Sequence, residues 1–513
     1  MWESKDFIVP HFNYIPHFEK PIFAYLLTAL SIGVFGANSL AVRFPSVLAA
    51  ISGIFLTHAF TRRLFDEKKA NLAAMILSTS VGYFLLGRYG MIDMLLTLFL
   101  SAALFGLAAA VIQKDRRFYP AAYLFMGLAF ITKGLVGIVL PVLIFTAYLV
   151  WTKNLAEVKR MRLGWGLLII GLVFVPWGIA ISIREPEFSY VFITQQHFER
   201  FATGSFGRAR PFWFFIPILI SLAFPWSLFL PTAAIHGLRD QKGDERKMVQ
   251  FLLCWVSVIL LFFSIPRSKL PYYILPVSVP LSVLVAVWFD QATEPKTLRL
   301  LLKCAGLILV VAIGGFNAYL FFWAEVPIAE TIRNLVLPGT ICVLAGCAVI
   351  ANYTRKSLYR SAAWAMAGTL YAAMIIIAAG MFFLSPYFST YKESQTLKFL
   401  WKEGDTIAVY SSPDHFSDLP FHLQKRIMVV GSDFGTLTSE VEERQHEKEL
   451  DRWFLSAGKF VELFSLGKTR MFCLMKAKSL GELQHLGLRK FSVIYEGAGK
   501  ILISNEIPSA TKP

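Results

Sequence analysis

Apolar runs of about 20 residues recur along this chain from about residue 41 to about residue 384. A helix needs about 20 such residues to cross the hydrocarbon core of a bilayer, and soluble domains have no need of them. The composition agrees, because only 16% of the residues are charged, against about 25% in soluble domains. Most of this chain therefore folds in lipid.

Charged breaks divide the apolar region into about twelve predicted membrane helices, which makes the fold class a polytopic α-helical membrane protein. The predicted spans are 41–60, 70–87, 92–112, 118–132, 135–151, 164–183, 212–234, 250–266, 271–289, 299–323, 335–353 and 361–384. The segment 22–38 is apolar but contains Gly33 and Gly36. We interpret it as a helix at the membrane interface or a short re-entrant element.

Basic residues are clustered in alternate loops. The clusters lie at 62–69, 114–117, 153–162, 239–247, 296–303 and 355–360. If the helices alternate, all six clusters share one side, which the positive-inside rule identifies as cytoplasmic. The net charge of +16 could also suggest a nucleic-acid partner, but short clusters between apolar segments argue against one.

The composition changes after about residue 385. Short β-like runs lie at 406–410, 427–430, 491–495 and 500–504, with charged amphipathic segments near 438–466 and 477–489. This pattern predicts a small soluble α/β domain outside the membrane. It shows no phosphate loop, catalytic triad or metal spacing, so we expect it to support or recognise rather than catalyse.

The outward loops retain basic residues that the positive-inside rule would make scarce. They are Arg88, Lys133, Arg184, Arg200, Arg208, Arg210, Arg267 and Lys269. Cations at the non-cytoplasmic face suggest an anionic ligand there, such as a lipid phosphate. Snorkelling side chains would account for part of the set without any ligand.

Asp93 lies at the outer junction of two predicted membrane helices. An acidic side chain is costly in hydrocarbon, so such a residue usually faces a cavity and has a function. The alternative is a structural ion pair with nearby Arg88.

Two polar loop segments add further candidates. Glu19 and Lys20 place a carboxylate beside an ammonium just before an apolar segment, where a phosphate headgroup would lie. His197 and Arg200 share one face if their segment is helical, and could hold a phosphate or, with Glu19, a metal. A histidine that only forms hydrogen bonds remains the alternative.

The segment from Ile265 to Pro276 breaks the membrane pattern with prolines and two cations. Irregular backbone at this depth is tolerated only where protein or a watery cavity covers it. Arg267, Lys269 and the hydroxyl of Tyr273 would suit a phosphate. A tight hairpin without a ligand is the alternative.

Taken together and in this order, these elements resemble the ArnT-like branch of the protein O-mannosyltransferase superfamily, which has GT-C architecture. The resemblance is carried by Phe18-Glu19-Lys20-Pro21, the stretch from Arg88 to Asp93, Thr132-Lys133-Gly134 with Pro141, His197 to Phe201, and Ser268-Lys269-Leu270 with Tyr273-Ile274-Leu275-Pro276. Each element is weak alone, but five in register are specific.

The resemblance implies an enzyme of the bacterial inner membrane that moves a sugar from a polyprenyl-phosphate donor to a lipid A, glycan or protein acceptor at the periplasmic face. Residues 1–40 would form an outer loop and interfacial helix, 41–384 the transmembrane glycosyltransferase domain, and 385–513 a periplasmic α/β domain. Asp93 would be catalytic, and no nucleotide cofactor is expected. The lipid phosphate would be held by Lys20, Arg88, Arg200, Arg267, Lys269 and Tyr273, and a divalent metal, zinc or magnesium, by Glu19 and His197.

One departure from the family's pattern concerns its Asp-Glu pair in the first outer loop, which follows a first membrane helix. Met1 aligns just downstream of that pair. Either Met1 is an internal methionine of a longer reading frame, or this member has lost the pair and is an inactive structural protein.

A transporter or flippase for lipid-linked sugars is the alternative from another class. That function predicts inverted repeats and helices interrupted at the bilayer midplane. The sequence shows no convincing internal repeat, and its polar residues gather at one face.

Overall fold

The computed structural model describes residues 1–188, 192, 209–291, 295–322, 326–410, 412–431, 434–438, 441 and 450–506. The chain forms two compact units. The first consists of Met1–Ile8 and Phe18–Ala379, and the second of Val9–His17 and Gly380–Pro513.

The first unit is a bundle of helices. They are α1 (Phe23–Phe35), α2 (Ser39–Leu64), α3 (Glu67–Ser78), α4 (Val81–Gly87), α5 (Ile92–Val111), α6 (Phe118–Lys133), α7 (Val136–Trp151), α8 (Leu163–Arg184), α9 (Phe215–Leu222), α10 (Leu230–Asp240), α11 (Gly243–Ser264), α12 (Ser278–Gln291), α13 (Pro295–Phe322), α14 (Val326–Arg355) and α15 (Tyr359–Phe388), which continues into the second unit. A 3₁₀ segment, Pro271–Val277, leads directly into α12.

Eight helices in the described part of the chain are long and apolar enough to cross a membrane. Two bent pairs bring the number to ten if each is one span, Glu67–Ser78 with Val81–Gly87 at 64° and Phe212–Leu222 with Trp226–Asp240 at 111°. The predicted spans at 118–132 and 135–151 correspond to α6 and α7, each 16 residues long. At about 24 Å, such helices are shorter than a bilayer core of about 30 Å. The polytopic helical fold is confirmed, and the number twelve stays a prediction.

The helices differ in how much of their apolar surface is buried inside the bundle. The most apolar window of α5 is 89% buried, whereas that of α8 is only 11% buried. The exposed positions of α8 carry large apolar side chains such as Leu167 and Ile183. A face of that kind suits lipid, while α5 is surrounded by protein and can carry a polar group away from hydrocarbon.

The helix ends that carry basic clusters meet one another. Arg63 at the end of α2 bonds to Asp115 after α5 at 2.8 Å. Lys69 in α3 lies 3.8 Å from Asp290 near the end of α12, and Arg360 at the start of α15 also pairs with Asp290. These contacts support the alternation of the helices that the basic clusters predict.

The second unit contains a six-stranded mixed sheet. Its strands are β3 (Thr406–Tyr410), β4 (Met428–Val430), β5 (Phe454–Leu455), β6 (Met471–Lys476), β7 (Ser492–Gly497) and β8 (Lys500–Ser504), after a hairpin of β1 (His11–Phe12) and β2 (Ile15–Pro16). The order is β5-β4-β3-β6-β8-β7, parallel from β5 to β6 and antiparallel beyond. The helices are α16 (Tyr391–Leu400), α17 (Leu419–Leu423), α18 (Ala457–Leu466) and α19 (Leu480–His485).

The sheet packs on both faces. Ile407 and Val409 of β3 belong to one apolar cluster, and Ala408 and Tyr410 to another. Alternate residues of a strand point to opposite faces, so β3 contributes to both cores.

Residues 9–17 belong to the second unit through Asn13. Its side-chain amide donates to the Ile427 carbonyl at 2.9 Å and accepts from the Ile427 amide at 3.0 Å. Both bonds are buried, so they fix the segment firmly. The sequence predicts instead that this segment is part of an outer loop within residues 1–40.

Candidate active site

Asp93 lies in the first turn of α5, one of the two most enclosed spans among the described residues, and is 5% exposed. The free amide groups at a helix N-terminus favour a negative charge there. Of the residues that the structure describes, only Lys133 bonds to the carboxylate, through Oδ1. The second carboxylate oxygen is available to a ligand.

Lys133 is the last residue of α6, which packs beside α5. Its ammonium forms an ion pair with Asp93, and the two side chains are 10% and 7% exposed. Gly134 then ends the helix with φ +87° and ψ −152°, a conformation that essentially only glycine adopts. Two charges this deeply buried need each other, because removal of either leaves an uncompensated charge.

Tyr273 covers the pair from a third element. The Lys133 Nζ lies 4.7 Å from the centre of the Tyr273 ring, within the range of a cation–π interaction. The ring itself packs on Phe263 of α11 at 5.3 Å. The polar cluster of Asp93, Lys133 and Tyr273 therefore joins α5, α6 and the 3₁₀ segment before α12.

Arg88 does not pair with Asp93. The Arg88 side chain is exposed after α4, with its guanidinium 5.5 Å from the centre of the Phe84 ring. The alternative interpretation of Asp93, a structural pair with Arg88, is wrong because the partner is Lys133. An exposed arginine at this helix end remains able to meet an anionic headgroup.

Lys269 is 3% exposed and bonds to backbone carbonyls. Its ammonium donates to the carbonyl of Arg210 at 3.1 Å and to that of Pro266. The amide of Arg210 in turn donates to the Arg267 carbonyl at 3.0 Å. Burial lowers the pKa of Lys269. Two of its three donors hold the loop together, and one is left for a ligand.

Lys20 and Glu19 lie half-buried just before α1. The Lys20 ammonium donates to the Glu19 carbonyl at 2.8 Å. Three residues later, the Phe23 ring packs on Phe99 of α5 at 5.8 Å. The start of α1 therefore lies beside the helix that carries Asp93.

The remaining predicted site residues divide into two groups. Arg267 is described and exposed, and its carbonyl accepts from Arg210. His197 and Arg200 lie outside the described residues, so their predicted roles stay predictions.

The predicted metal site is not completed by the described residues. Among them, no group of three or more His, Cys, Asp or Glu side chains is arranged to hold a metal ion. His197, the second predicted ligand, lies outside the described residues, so the metal site stays a prediction.

Lys133 is a functional candidate whose partner the sequence does not reveal. The sequence places it among the outward basic residues and in the Thr132-Lys133-Gly134 element. Its position one residue before a helix-ending glycine was the available signal, but the carboxylate that it meets lies 40 residues away.

Known proteins that are similar to this chain identify its family. Residues 19–179 match the family described as dolichyl-phosphate-mannose-protein mannosyltransferase. An undecaprenyl phosphate-α-4-amino-4-deoxy-L-arabinose arabinosyl transferase from Yersinia enterocolitica is 30% identical over 73% of this chain and 69% of its own length. The chain belongs to the ArnT-like family. The resemblance inferred from the five sequence elements is thereby confirmed.

Two further proteins are similar to this chain. The arabinosyl transferase 2 of Pseudomonas fluorescens is 35% identical over 68% of this chain. The match spans only 60% of that relative's length. The crystal structure of ArnT from Cupriavidus metallidurans bound to undecaprenyl phosphate superimposes with a TM-score of 0.87, at 23% identity, over 100% of this chain and 92% of that one. At this level of identity, the likeness shows the fold alone.

Proposed function

We propose that this protein transfers a sugar from an undecaprenyl-phosphate donor to a lipid A, glycan or protein acceptor. The observation that carries the proposal is the buried Asp93–Lys133 pair beneath Tyr273, in a chain related to undecaprenyl-phosphate arabinosyl transferases. A buried carboxylate is costly in a membrane protein, and it is usually kept for a function such as binding a substrate.

In this reaction the bond between sugar C1 and the phosphate oxygen breaks while an acceptor oxygen bonds to C1. The sugar passes through an oxocarbenium-like state, and negative charge grows on the departing lipid phosphate. Fixed cations beside that phosphate stabilise the change in a site of low dielectric. An acceptor hydroxyl loses its proton to a base, and an ionised acceptor needs none.

Asp93 acts on the sugar or the acceptor through Oδ2, to which none of the described residues bonds. The ion pair with Lys133 fixes the carboxylate in one orientation. A carboxylate held in this way accepts hydrogen bonds from a sugar hydroxyl or ammonium group. Asp93 therefore positions the reacting groups and stabilises positive charge at the sugar.

The lipid phosphate meets cations on several elements. Lys20 lies before α1, Arg88 after α4, and Arg267 and Lys269 before the 3₁₀ segment that carries Tyr273. Arg200 would complete the set. Their hydrogen bonds to phosphate would be charge-assisted, which makes them roughly twice as strong as neutral ones.

A divalent metal bound by Glu19 and His197 also remains a proposal. No step of the proposed transfer runs through it. Transfer measured with and without a chelator, followed by re-addition of Zn²⁺ or Mg²⁺, tests it. Activity that is unaffected by the chelator would contradict it.

The proposed topology has about twelve spans, with the second unit in the periplasm. The support is the set of basic clusters at one end of the helices, which the positive-inside rule places in the cytoplasm. Cysteine labelling from each side of the inner membrane tests it, with one reporter at exposed Lys159 and one at exposed Lys468.

The function is tested with the full-length protein in proteoliposomes. Labelled undecaprenyl phosphate-α-4-amino-4-deoxy-L-arabinose is the donor and lipid A the acceptor. We expect label on lipid A with the unaltered protein and none with Asp93→Asn. Asp451→Asn, which changes an exposed carboxylate of the second unit, is the matched control and should transfer normally.

Two other outcomes would contradict the proposal. Movement of the labelled donor between leaflets without transfer would identify a transporter. Near-normal transfer by Asp93→Asn would remove Asp93 from the mechanism, whichever acceptor is used.

A further inference from the structure

Helix α15 is the last of the described helices that can cross a membrane, and its final turns belong to the second unit. It is 30 residues long, which corresponds to about 45 Å of helix. A bilayer is about 40–45 Å thick when its headgroups are included. With Tyr359 in one headgroup layer, Phe388 at the other end of α15 therefore lies in the opposite one.

Helix α16 begins close to that end of α15. Only Ser389 and Thr390 separate Phe388 from Tyr391, the first residue of α16. Three steps from one Cα to the next span at most about 11 Å. The first turn of α16 therefore lies within the headgroup layer or next to it.

Lys500 of β8 fixes the junction between the two helices. Its buried ammonium donates to the carbonyl of Pro386 at 2.8 Å, to that of Ser389, and to Oε1 of Glu393 at 3.2 Å. These acceptors lie in the last turn of α15, in the connection and in the first turn of α16. An ammonium has three donors, so Lys500 uses all of them to hold both helices at one point of the sheet.

Helix α16 has one buried face and one exposed face. Glu393 and Leu397 are buried, and Leu397 packs in the apolar cluster of the sheet that contains Ile407 and Val409. Tyr391, Gln395 and Phe399 are exposed. They follow one another at intervals of four residues, so they lie along one stripe of the exposed face.

The apolar surface at this place is unusually accessible. Phe399 is 88% exposed and Phe388 is 81% exposed, which makes them the two most exposed large apolar side chains in the described part of the chain. Tyr391 between them is 56% exposed. Aromatic rings at the end of a membrane helix are typical of the layer between hydrocarbon and water.

The charge exposed on α16 is only positive. Lys392 and Lys398 are exposed and lie on either side of the stripe, and neither forms an ion pair with a described residue. The one acidic residue of the helix, Glu393, faces inward and pairs with Lys500. Rings on an exposed face with lysines at its edges are typical of a helix that lies in the membrane interface.

We infer that α16 lies in the headgroup layer of the leaflet in which α15 ends, and that it binds anionic phospholipids there. The rings of Phe388, Tyr391 and Phe399 enter the apolar side of this layer, and the ammonium groups of Lys392 and Lys398 bind the lipid phosphates. The covalent connection to α15 favours lipid as the occupant over a second protein, because it keeps α16 at the membrane surface. The exposed positive charge favours anionic over zwitterionic lipid.

The test uses the full-length protein in liposomes of phosphatidylethanolamine and phosphatidylglycerol. Phe399→p-benzoylphenylalanine introduces a photoreactive ring at an exposed position, and mass spectrometry after irradiation identifies what it contacts. We expect phospholipid adducts in which phosphatidylglycerol exceeds its share of the liposome. Leu466→p-benzoylphenylalanine is the matched control and should give no lipid adduct. Leu466 is also exposed, but it belongs to α18, which packs on the other face of the sheet.

The two lysines are tested in the protein that carries the photoreactive ring at position 399. Lys392→Gln and Lys398→Gln should each lower the ratio of phosphatidylglycerol to phosphatidylethanolamine adducts about fivefold, as the loss of one cation at an anionic surface predicts. Lys459→Gln and Lys468→Gln, at exposed lysines of the same unit, should leave the ratio unchanged. Thermal melts establish that every variant is folded.

Four results would overturn the inference. Adducts with a second copy of the chain would show that a protein covers α16. A residue at position 399 that labels neither lipid nor protein would show that α16 lies in water. Equal lipid labelling from position 466 would show that α16 is not a specific contact. An adduct ratio equal to the liposome composition, and unchanged by the lysine variants, would exclude binding of anionic lipid.

Discussion

The ammonium of Lys133 and the carboxylate of Asp93 form a buried ion pair between the last residue of α6 and the first turn of α5. The pair is buried within the helical bundle, beneath the ring of Tyr273. It is costly to bury, so its presence indicates a function that requires fixed charge at this position.

Lys133→Gln should reduce transfer on the order of a hundredfold, because the neutral amide no longer fixes the charged carboxylate. Lys133→Arg, which keeps the charge, should retain more activity than Lys133→Gln. Initial rates with labelled donor check both variants. Lys159→Gln, at an exposed lysine, is the control. Equal rates for Lys133→Gln and the unaltered protein would refute a role for the pair.

Asp93→Asn and Lys133→Gln should not be additive. Removal of either partner of a buried pair costs about 3–5 kcal/mol of stability, since the other charge is left alone. The double variant should therefore be no less stable than the worse single variant, and about as inactive. Thermal melts and transfer rates are measured for the unaltered protein, both single variants and the double variant, which together form a double-mutant cycle. Additive losses would show that the two residues act independently.

Tyr273→Phe and Tyr273→Leu separate the two contributions of this side chain. The phenyl ring keeps the contact with Lys133, so Tyr273→Phe should melt normally but bind the lipid phosphate about tenfold more weakly. Tyr273→Leu loses ring and hydroxyl and should also lose stability. Donor titrations measure the first effect and thermal melts the second. A normal apparent KM for Tyr273→Phe would exclude a phosphate contact by the hydroxyl.

Gly134→Ala should destabilise the protein by about 1–3 kcal/mol, because its φ of +87° suits no other residue. The strain falls on the residue after Lys133, so transfer should decline as well. Gly306→Ala is the matched control, since an added methyl there meets no atom within 4 Å. Thermal melts of both variants measure the loss of stability. Equal melting temperatures for Gly134→Ala and Gly306→Ala would contradict the strain expected at Gly134.

Asp418 should make the second unit sensitive to acid. Burial works against its charge, but bonds from His422, Thr390 and Ser389 outweigh that effect and lower the pKa of Asp418 to about 2. A lowered pKa stabilises the fold above the ordinary value near 4 and ceases to do so as the pH falls towards 2.

Asp418→Asn tests this dependence. Partial exposure of Asp418 to solvent screens its electrostatic contribution, so the free energy of unfolding of the variant should fall by on the order of 1–2 kcal/mol at neutral pH. The difference from the unaltered protein should shrink as the pH falls below about 4. Thermal melts between pH 7 and pH 3 measure it. A difference that stays constant over this range would contradict the assignment.

Much of the second unit's sheet can be predicted from the sequence. The β-like run at 406–410 coincides with β3, and that at 500–504 with β8. The central strand β6, Met471–Lys476, was not predicted, because it is apolar at nearly every position and shows no alternation. Strands buried on both faces lack the period of two that marks a strand in sequence.

Local sequence patterns predict most of the helices of the membrane unit, because lipid requires long apolar helices and makes a buried acidic side chain costly wherever it lies. By itself the sequence therefore determined the helical bundle, and it predicted the side of the basic clusters and a role for Asp93. Only the tertiary structure decided that Asp93 meets Lys133, 40 residues away, and not Arg88, five residues before it. It likewise decided that Asn13 bonds to Ile427, 414 residues along the chain. Contacts between distant segments depend on how helices and strands pack, and no local spacing specifies that packing.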